Sequence, residues 1–161
     1  MEKLLSQNIE EYKKQMALGT VSKAYRELIG YLMSLRTHFR NQYSTEFVIS
    51  SFHQGYMDMS YFSITPESLI KKKLKIGLVF NHEKMQFEIW LLGQNKQVQK
   101  KFWDLFNGSN WNTYSISETA ENAIIQHILI DKPKFNDLSL LTKIIEDETL
   151  MFVRNVECTL K

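Results

Sequence analysis

Few side chains in this sequence have the type and spacing that metal or acid–base chemistry requires. The four histidines are His38, His53, His82 and His127, and no two of them stand four residues apart. Two imidazoles at that spacing share one face of a helix and can bind one metal ion together. The sequence also has no glycine-rich phosphate loop and no G-x-S-x-G motif. We therefore expect neither a metal nor a cofactor.

Asp58, Glu88 and His82 are the candidate catalytic residues. Asp58 is predicted to lie on a strand among polar and aromatic side chains, where a carboxylate must be paired or hydrogen-bonded. His82 is predicted at a hairpin tip, where an imidazole is usually solvated. If two predicted hairpins lie side by side, His53, Asp58 and His82 could form a general-base or metal site.

An enzyme built on these residues would be hydrolytic or nuclease-like. It requires Asp58 and Glu88 to face one pocket, with the imidazole of His53 or His82 within about 3 Å. Carboxylates that point to opposite faces of a sheet would count against this hypothesis.

A binding or interaction domain without catalytic activity is the preferred hypothesis. Aromatic side chains mixed with a few polar groups are the usual composition of binding surfaces. We expect such a surface on a polar face of the sheet, where it would recognise a small molecule or a protein. The predicted ligand-binding residues are Tyr56, Asp58, Tyr61, Trp90 and Gln94, with His82 and Glu88 on the same face.

Lysines are concentrated in the middle of the chain. Residues 71–101 contain eight lysines against two glutamates, although the net charge of the whole chain is only +2. The simpler interpretation is that Lys71, Lys72 and Lys73 are a solvated approach to a strand that protects it from aggregation. The alternative is a basic patch for an anionic partner such as nucleic acid, whose binding would weaken steeply with salt. That alternative requires one surface to carry Lys71, Lys72, Lys73, Lys96 and Lys100.

The stretch from Leu74 to Phe106 is predicted to position these residues. Apolar residues alternate with other residues over 74–81 and again over 85–92, which is the period of half-buried strands. The four residues 81–84 between them fit a hairpin loop. A helix should follow, capped by Asn95 and closed near Gly108. The unit is a hairpin and a helix that together bury one face of a sheet.

The flanking segments complete the predicted fold. Two amphipathic helices joined at Gly19 should form a helical hairpin over the sheet. A second β-hairpin is split by Gln54 and Gly55, and Thr65 should cap a short helical turn that opens with Pro66. Residues 123–130 fit a strand or a helix, and their isoleucines favour a strand. A last helix is predicted from about Asp137.

The predicted fold class is α+β. It is a mainly antiparallel sheet of about five strands, formed by two hairpins and a returning strand that can add in parallel. The N-terminal helical hairpin, a middle helix and the C-terminal helix cover it. A single domain over residues 1–161 is expected from the length and the 43% hydrophobic content. One cysteine, no apolar run of roughly 20 residues and no signal peptide predict a cytoplasmic protein without a membrane partner.

Three stretches of the sequence resemble a family of small bacterial proteins known as a domain of unknown function. They are YRELIGYLMSLRTHF, QGYMDMSYF and LKIGLVFNHEKMQFEIWLLGQNKQVQKKFW. The resemblance implies a bacterial, cytoplasmic, single-domain protein and no particular activity.

The predicted topology is also similar to restriction-endonuclease-like nucleases. Their third core strand carries Glu-x-Lys, whereas this chain has Trp90 two residues after Glu88. A metal-dependent nuclease needs at least a pair of carboxylates to hold its ion. The resemblance therefore implies at best an inactive relative.

Overall fold

The computed structural model describes residues 2–161 of the chain, with side chains from residue 4 onward. Helices and strands alternate in an order close to the predicted one. The helices are α1 (Glu2–Leu18), α2 (Thr20–Gln42), α3 (Glu67–Ile70), α4 (Lys96–Asn107) and α5 (Leu138–Thr159). The strands are β1 (Phe47–Ile49), β2 (Met59–Pro66), β3 (Leu74–Asn81), β4 (Gln86–Gly93) and β5 (Ile125–Ile130). The α+β class is confirmed, and residues 125–130 are a strand.

The strands form one antiparallel sheet in the order β1-β2-β3-β4-β5. The prediction that the last strand could add in parallel is wrong, because β5 pairs antiparallel with β4. The cause is the path of residues 108–124. They lead the chain back to the start of α4, where the Gln99 side chain binds the carbonyl groups of Ala120 and Glu121. Strand β5 thus begins at the same end of the sheet at which β4 ends, and it runs antiparallel to β4.

The chain divides into two compact units, one ending at Leu35 and the other formed by Arg36–Lys161. The first unit contains α1 and most of α2, which meet at Gly19 as predicted. The large apolar residues of α1, a helix predicted to be amphipathic, are exposed in the structure. They include Leu4, Leu5, Ile9, Tyr12 and Met16. The expectation of a single domain over residues 1–161 stays a prediction.

The core of the second unit lies on one face of the sheet. Ile76 and Leu91 are cross-strand partners on β3 and β4, and both are fully buried. The α4 residue Phe106 and the α5 residue Phe152 belong to the same cluster. Burying an apolar side chain of this size contributes roughly 1.5–3 kcal/mol. The predicted hairpin is therefore confirmed, but the prediction that its strands are half-buried is wrong, because Val79 and Glu88 on the opposite face are buried as well.

A hydrogen-bonded carboxylate connects the end of α2 to α5 within this unit. Glu146 on α5 accepts hydrogen bonds from the Tyr43 hydroxyl and from His38, whose Nε2 lies 2.8 Å away. The pKa of Tyr43 is raised to about 12, mainly by the hydrogen bond to Glu146 and to a smaller extent by burial. The contact fixes the last turn of α2 beside the C-terminal helix.

Side-chain caps define the starts of the two long helices of the second unit. The carboxamide of Asn95 accepts from the backbone N–H of Val98 at 2.9 Å, as predicted for α4. The carboxylate of Asp137 accepts from the N–H of Leu140 at 3.0 Å at the start of α5. Such caps each contribute about 1 kcal/mol.

The predicted cap at Thr65 is wrong. Thr65 and Pro66 belong to β2, and the Thr65 hydroxyl accepts a hydrogen bond from the N–H of Ile76 in the neighbouring strand. Helix α3 starts after Pro66 without a side-chain cap. Because the Thr65 hydroxyl is hydrogen-bonded within the sheet, it does not cap α3.

The end of β4 and the first turn of α4 approach each other closely. A β-carbon on Gly93 would lie 2.4 Å from the backbone nitrogen of Gln99, a distance that requires a glycine. The Gln99 side chain accepts from the Gly93 N–H at 3.2 Å and donates to the carbonyl groups of Ala120 (2.7 Å) and Glu121 (3.1 Å). One buried amide thus joins a strand, a helix and the returning loop.

Gly93→Ala should destabilise the protein by about 1–3 kcal/mol, because the added methyl group forces α4 away from the sheet. Gly77→Ala is the matched control. A β-carbon there would meet only Leu92, at 3.4 Å, and Val79, at 3.7 Å. Because glycine inside a strand costs roughly 0.5–1 kcal/mol, the control should be neutral or slightly stabilising. Urea denaturation measures both, and equal stabilities would contradict the close approach.

Candidate functional site

The sheet face opposite the core brings together three residues of the predicted binding surface. In the strand register, Val79 on β3 faces Tyr61 on β2 and Glu88 on β4, and Gly77 faces Trp90. Directly paired residues project from the same side of a sheet. Tyr61, Glu88 and Trp90 therefore share one face, which we call the open face.

Glu88 is a buried carboxylate surrounded by neutral donors. Only 7% of its surface is exposed, and its oxygens accept hydrogen bonds from Gln86 Nε2 (2.6 Å), Trp90 Nε1 (2.9 Å) and Asn81 Nδ2 (3.3 Å). The register with β5 shifts between Phe87 and Glu88, as in a β-bulge, which is a common way to re-aim side chains beside a site. The network fixes the indole of Trp90 in one orientation.

A cavity of about 350 Å³ opens beside these residues. Its lining residues are Met59, Tyr61, Lys75, Val79, Trp90, Leu92, Gly93, Asn95, Lys96, Gln99, Glu121 and Asn122. The ring of Tyr61 is also held in place, because His53 stacks on it with ring centroids 4.7 Å apart and planes at 16°. The volume lies within the range of small-molecule sites, roughly 300–1,000 Å³. Two oriented aromatic rings thus border one cavity, which we call the aromatic cavity.

The charged residues of the aromatic cavity come from three separate elements. Lys75 lies on β3, Lys96 is the first residue of α4, and Glu121 lies in the loop before β5. Within the part of the chain that the structure describes, none of the three forms an ion pair. Their charges are therefore available to a ligand.

The other predicted binding residues do not line this cavity. The prediction that Asp58 lies on a strand is wrong, because β2 begins at Met59 and the preceding Met57 has a positive φ of 62° that bends the chain. Tyr56 is 95% exposed in the same bend. Gln94 follows β4 and donates its N–H to the carbonyl of Lys73.

The carboxylate of Asp58 stabilises the bend by a hydrogen bond to its backbone. It is exposed and accepts the backbone N–H of Tyr56 at 2.8 Å. Hydrogen bonds from the backbone N–H groups of Tyr56 and Met59 hold the pKa of the Asp58 carboxyl below its usual range. Asp58 therefore has a structural role in the bend.

His82 lies in the hairpin turn as predicted, but it is buried, so the prediction that its imidazole is solvated is wrong. Only 7% of its surface is exposed, and its Nε2 lies 2.7 Å from the Ser60 hydroxyl oxygen. Because Ser60 donates to the carbonyl of Gln54, it accepts from His82. The Phe80 ring packs edge-on against the imidazole. Burial lowers the pKa of His82, and the Asp58 carboxylate offsets part of this effect.

The three candidate catalytic residues are not brought into one pocket. The imidazole of His82 lies beside Ser60, which pairs with Phe80 on the core side, whereas Glu88 is on the open face. The carboxylate of Asp58 is in an exposed bend. In the described residues, no group of three or more His, Cys, Asp or Glu side chains could hold a metal ion. The geometry does not favour the hydrolase alternative.

The five lysines of the predicted basic patch are divided among different surroundings. Lys71, Lys72 and Lys73 line a second cavity of about 420 Å³ together with Lys101. Lys96 lines the aromatic cavity, and the ammonium of Lys100 is bound by Asp104 at 2.7 Å.

Gln99 is a residue of the site that the sequence interpretation missed. It stands three residues before Phe102 and seven before Phe106, so it lies on the buried stripe of α4. A polar residue on an apolar stripe is a sign of a buried hydrogen-bonded amide. That signal was present, whereas nothing in the sequence indicated that Lys75, Lys96 and Glu121 meet.

The comparisons with known proteins identify the family. The profile of a domain of unknown function, DUF7000, matches residues 5–160. The chain belongs to the DUF7000 family. The predicted resemblance to an uncharacterised family is thereby confirmed. No curated protein and no solved structure matches the chain. None of the described helices of this DUF7000 protein is long and apolar enough to cross a membrane.

Glu88→Gln should destabilise the DUF7000 protein by roughly 1–3 kcal/mol, because the amide NH₂ group would face one of the three donors and leave it unsatisfied. Urea denaturation followed by tryptophan fluorescence measures the loss. Glu83→Gln, at an exposed position in the adjoining turn, is the control and should change stability by less than about 0.5 kcal/mol. Equal effects of the two substitutions would contradict the network.

Burial of His82 should make the stability of the DUF7000 protein depend on pH. The unfolded chain takes up a proton near the ordinary value of 6.5, whereas the folded pKa is lower. Because the unfolded state then binds more protons, stability should fall as the pH drops below 6.5 towards the folded-state pKa. His82→Gln should make this decline shallower in urea denaturation between pH 7.5 and 5, and an unchanged slope would contradict the burial of the imidazole.

Proposed function

We propose that this DUF7000 protein is a binding domain that holds a small organic molecule with a planar ring in the aromatic cavity and does not transform it. The observation that supports this most directly is the pair of oriented rings at one cavity. Trp90 is held by Glu88 and Tyr61 by His53. Rings that are fixed before binding lose little conformational freedom when a ligand arrives, which favours affinity.

The composition of the cavity fits stacking. Beside the indole of Trp90 and the phenol of Tyr61, its apolar lining comes from Met59, Val79 and Leu92. Contacts between aromatic rings contribute about 0.5–1.5 kcal/mol beyond the area that they bury. A planar ring can therefore stack on one of these aromatic side chains and contact the apolar lining beside it.

The lining residues also argue against a chemical step. They include no histidine, serine or cysteine, so the cavity lacks a nucleophile and base pair of the Ser–His or Cys–His type. The nearby Glu88 carboxylate is occupied by three donors from the protein. Recognition without transformation is the function that this set of groups supports best.

We also propose that the protein is a single domain that works in the cytoplasm of a bacterial cell. The sequence has one cysteine, which is typical of reducing compartments. The bacterial origin is supported only by the resemblance of the sequence stretches described above.

A thermal-shift screen with ring-containing metabolites tests the proposal. A ligand at 100 times its dissociation constant should stabilise the protein by about 2.7 kcal/mol. Hits are then titrated against Trp90→Leu, which should weaken binding by about tenfold or more, equivalent to 1.4 kcal/mol. Trp103→Phe is the control, because the Trp103 indole donates to the carbonyl of Ser117 and does not line the cavity.

Two results would overturn the proposal. One is a screen in which no ring compound stabilises the wild-type protein. The other is a ligand that binds Trp90→Leu as tightly as the wild type, provided that urea denaturation shows the variant to be folded.

A further inference from the structure

We infer that the ligand of the aromatic cavity carries a negatively charged group beside its ring, and that Lys75 and Lys96 bind this group. The inference rests on the proposed binding function and names the chemical class of the ligand. It follows from the charges at the cavity, which the protein itself does not neutralise.

Several described lysines, Lys84 among them, have no ion pair, and Lys75 and Lys96 differ from Lys84 because they line the cavity. Lys71 is bound to Glu67 at 3.0 Å, Lys100 to Asp104 at 2.7 Å and Lys143 to Asp147 at 2.8 Å. In the described part of the chain, Lys75 and Lys96 have no such ion pair. With the carboxylate of Glu121, two ammonium groups against one anion leave the cavity with a charge of +1. A concave site concentrates such a field.

Rigid elements hold both lysines at the cavity. Lys75 is on β3, paired in register with Leu92 on the open face. Lys96 follows the Asn95 cap of α4, one turn before Gln99, which is anchored to Gly93. Sites carried by strands and helices hold their geometry better than sites on loops. The backbone positions of the two lysines beside the cavity are therefore fixed, and their side chains can adjust to a ligand.

The remaining groups narrow the ligand class. The indole N–H of Trp90 is already donated to Glu88, so it cannot bind an anion in the cavity. Lysine ammonium groups bind carboxylates and phosphates as point charges. Glu121 repels any further negative charge, so a polyanion fits less well than a molecule with one charged group. The class is a planar ring with one carboxylate or phosphate, as in aromatic acids and mononucleotides.

Isothermal titration with two matched pairs of probes tests the inference. One pair is indole-3-acetate and indole, and the other is adenosine monophosphate and adenosine. In at least one pair, the charged member should bind the wild type at least about tenfold more tightly, a difference of 1.4 kcal/mol. Its affinity should fall between about 50 and about 500 mM salt, since salt screens exposed charges. The pair that responds identifies the combination of ring and charged group that the cavity accepts.

The double variant Lys75→Met/Lys96→Met keeps most of each apolar side chain and removes both charges. It should bind the charged and neutral members equally, while Lys84→Met, at an exposed turn lysine outside the cavity, should keep the wild-type preference. Urea denaturation confirms that each variant is folded.

The outcomes separate the inference from the proposed function. If the neutral rings bind as well as the charged ones and the double variant is unaffected, the inference is wrong and the binding function stands. If no member of either pair binds at millimolar concentration and the thermal-shift screen is also flat, both are wrong.

Discussion

The close approach of Gly93 and Gln99 determines the arrangement of the sheet's end. Because no side chain separates them, the first turn of α4 lies directly on β4, and the Gln99 amide also holds the carbonyl groups of the returning loop. That position directs Phe102 and Phe106 into the core and leaves Lys96 and Glu121 beside the open face. The packing of the core and the geometry of the cavity thus depend on the same contact.

The β3–β4 hairpin also separates two polar networks that the chain brings close in sequence. On the open face, the Glu88 carboxylate accepts hydrogen bonds from three neutral donors. One of them is the indole of Trp90, which is thereby held in one orientation. Near the turn, His82 is buried against Ser60 and Phe80 on the core side. Both Glu88 and His82 find hydrogen-bond partners on the strands of the sheet, which avoids the cost of leaving buried polar groups unsatisfied. Their separation means that Glu88 and His82 do not share one site.

The sequence predicted those features that depend on neighbouring residues. Alternation over residues 74–92 revealed the hairpin and its two faces, and the polar residues Asn95 and Asp137 marked helix starts. It did not reveal the left-handed backbone at Met57, which removes Asp58 from the strand. The direction of β5 depends on how 108–124 returns to α4. The cavity itself joins residues from β3, α4 and a distant loop, and such proximity arises only in the folded chain.

The hydrogen bond from the Trp90 indole to Glu88 also limits what the cavity can distinguish. With its only polar atom occupied, the indole offers a ligand nothing but a flat, electron-rich surface. The hydrogen-bond donors and acceptors of a ligand's ring would then find no polar partner on the indole of Trp90. If the proposed ligand binds here, its contact with Trp90 would select for outline alone, and discrimination between heterocycles of similar size would fall to other lining groups such as Tyr61 and Asn122.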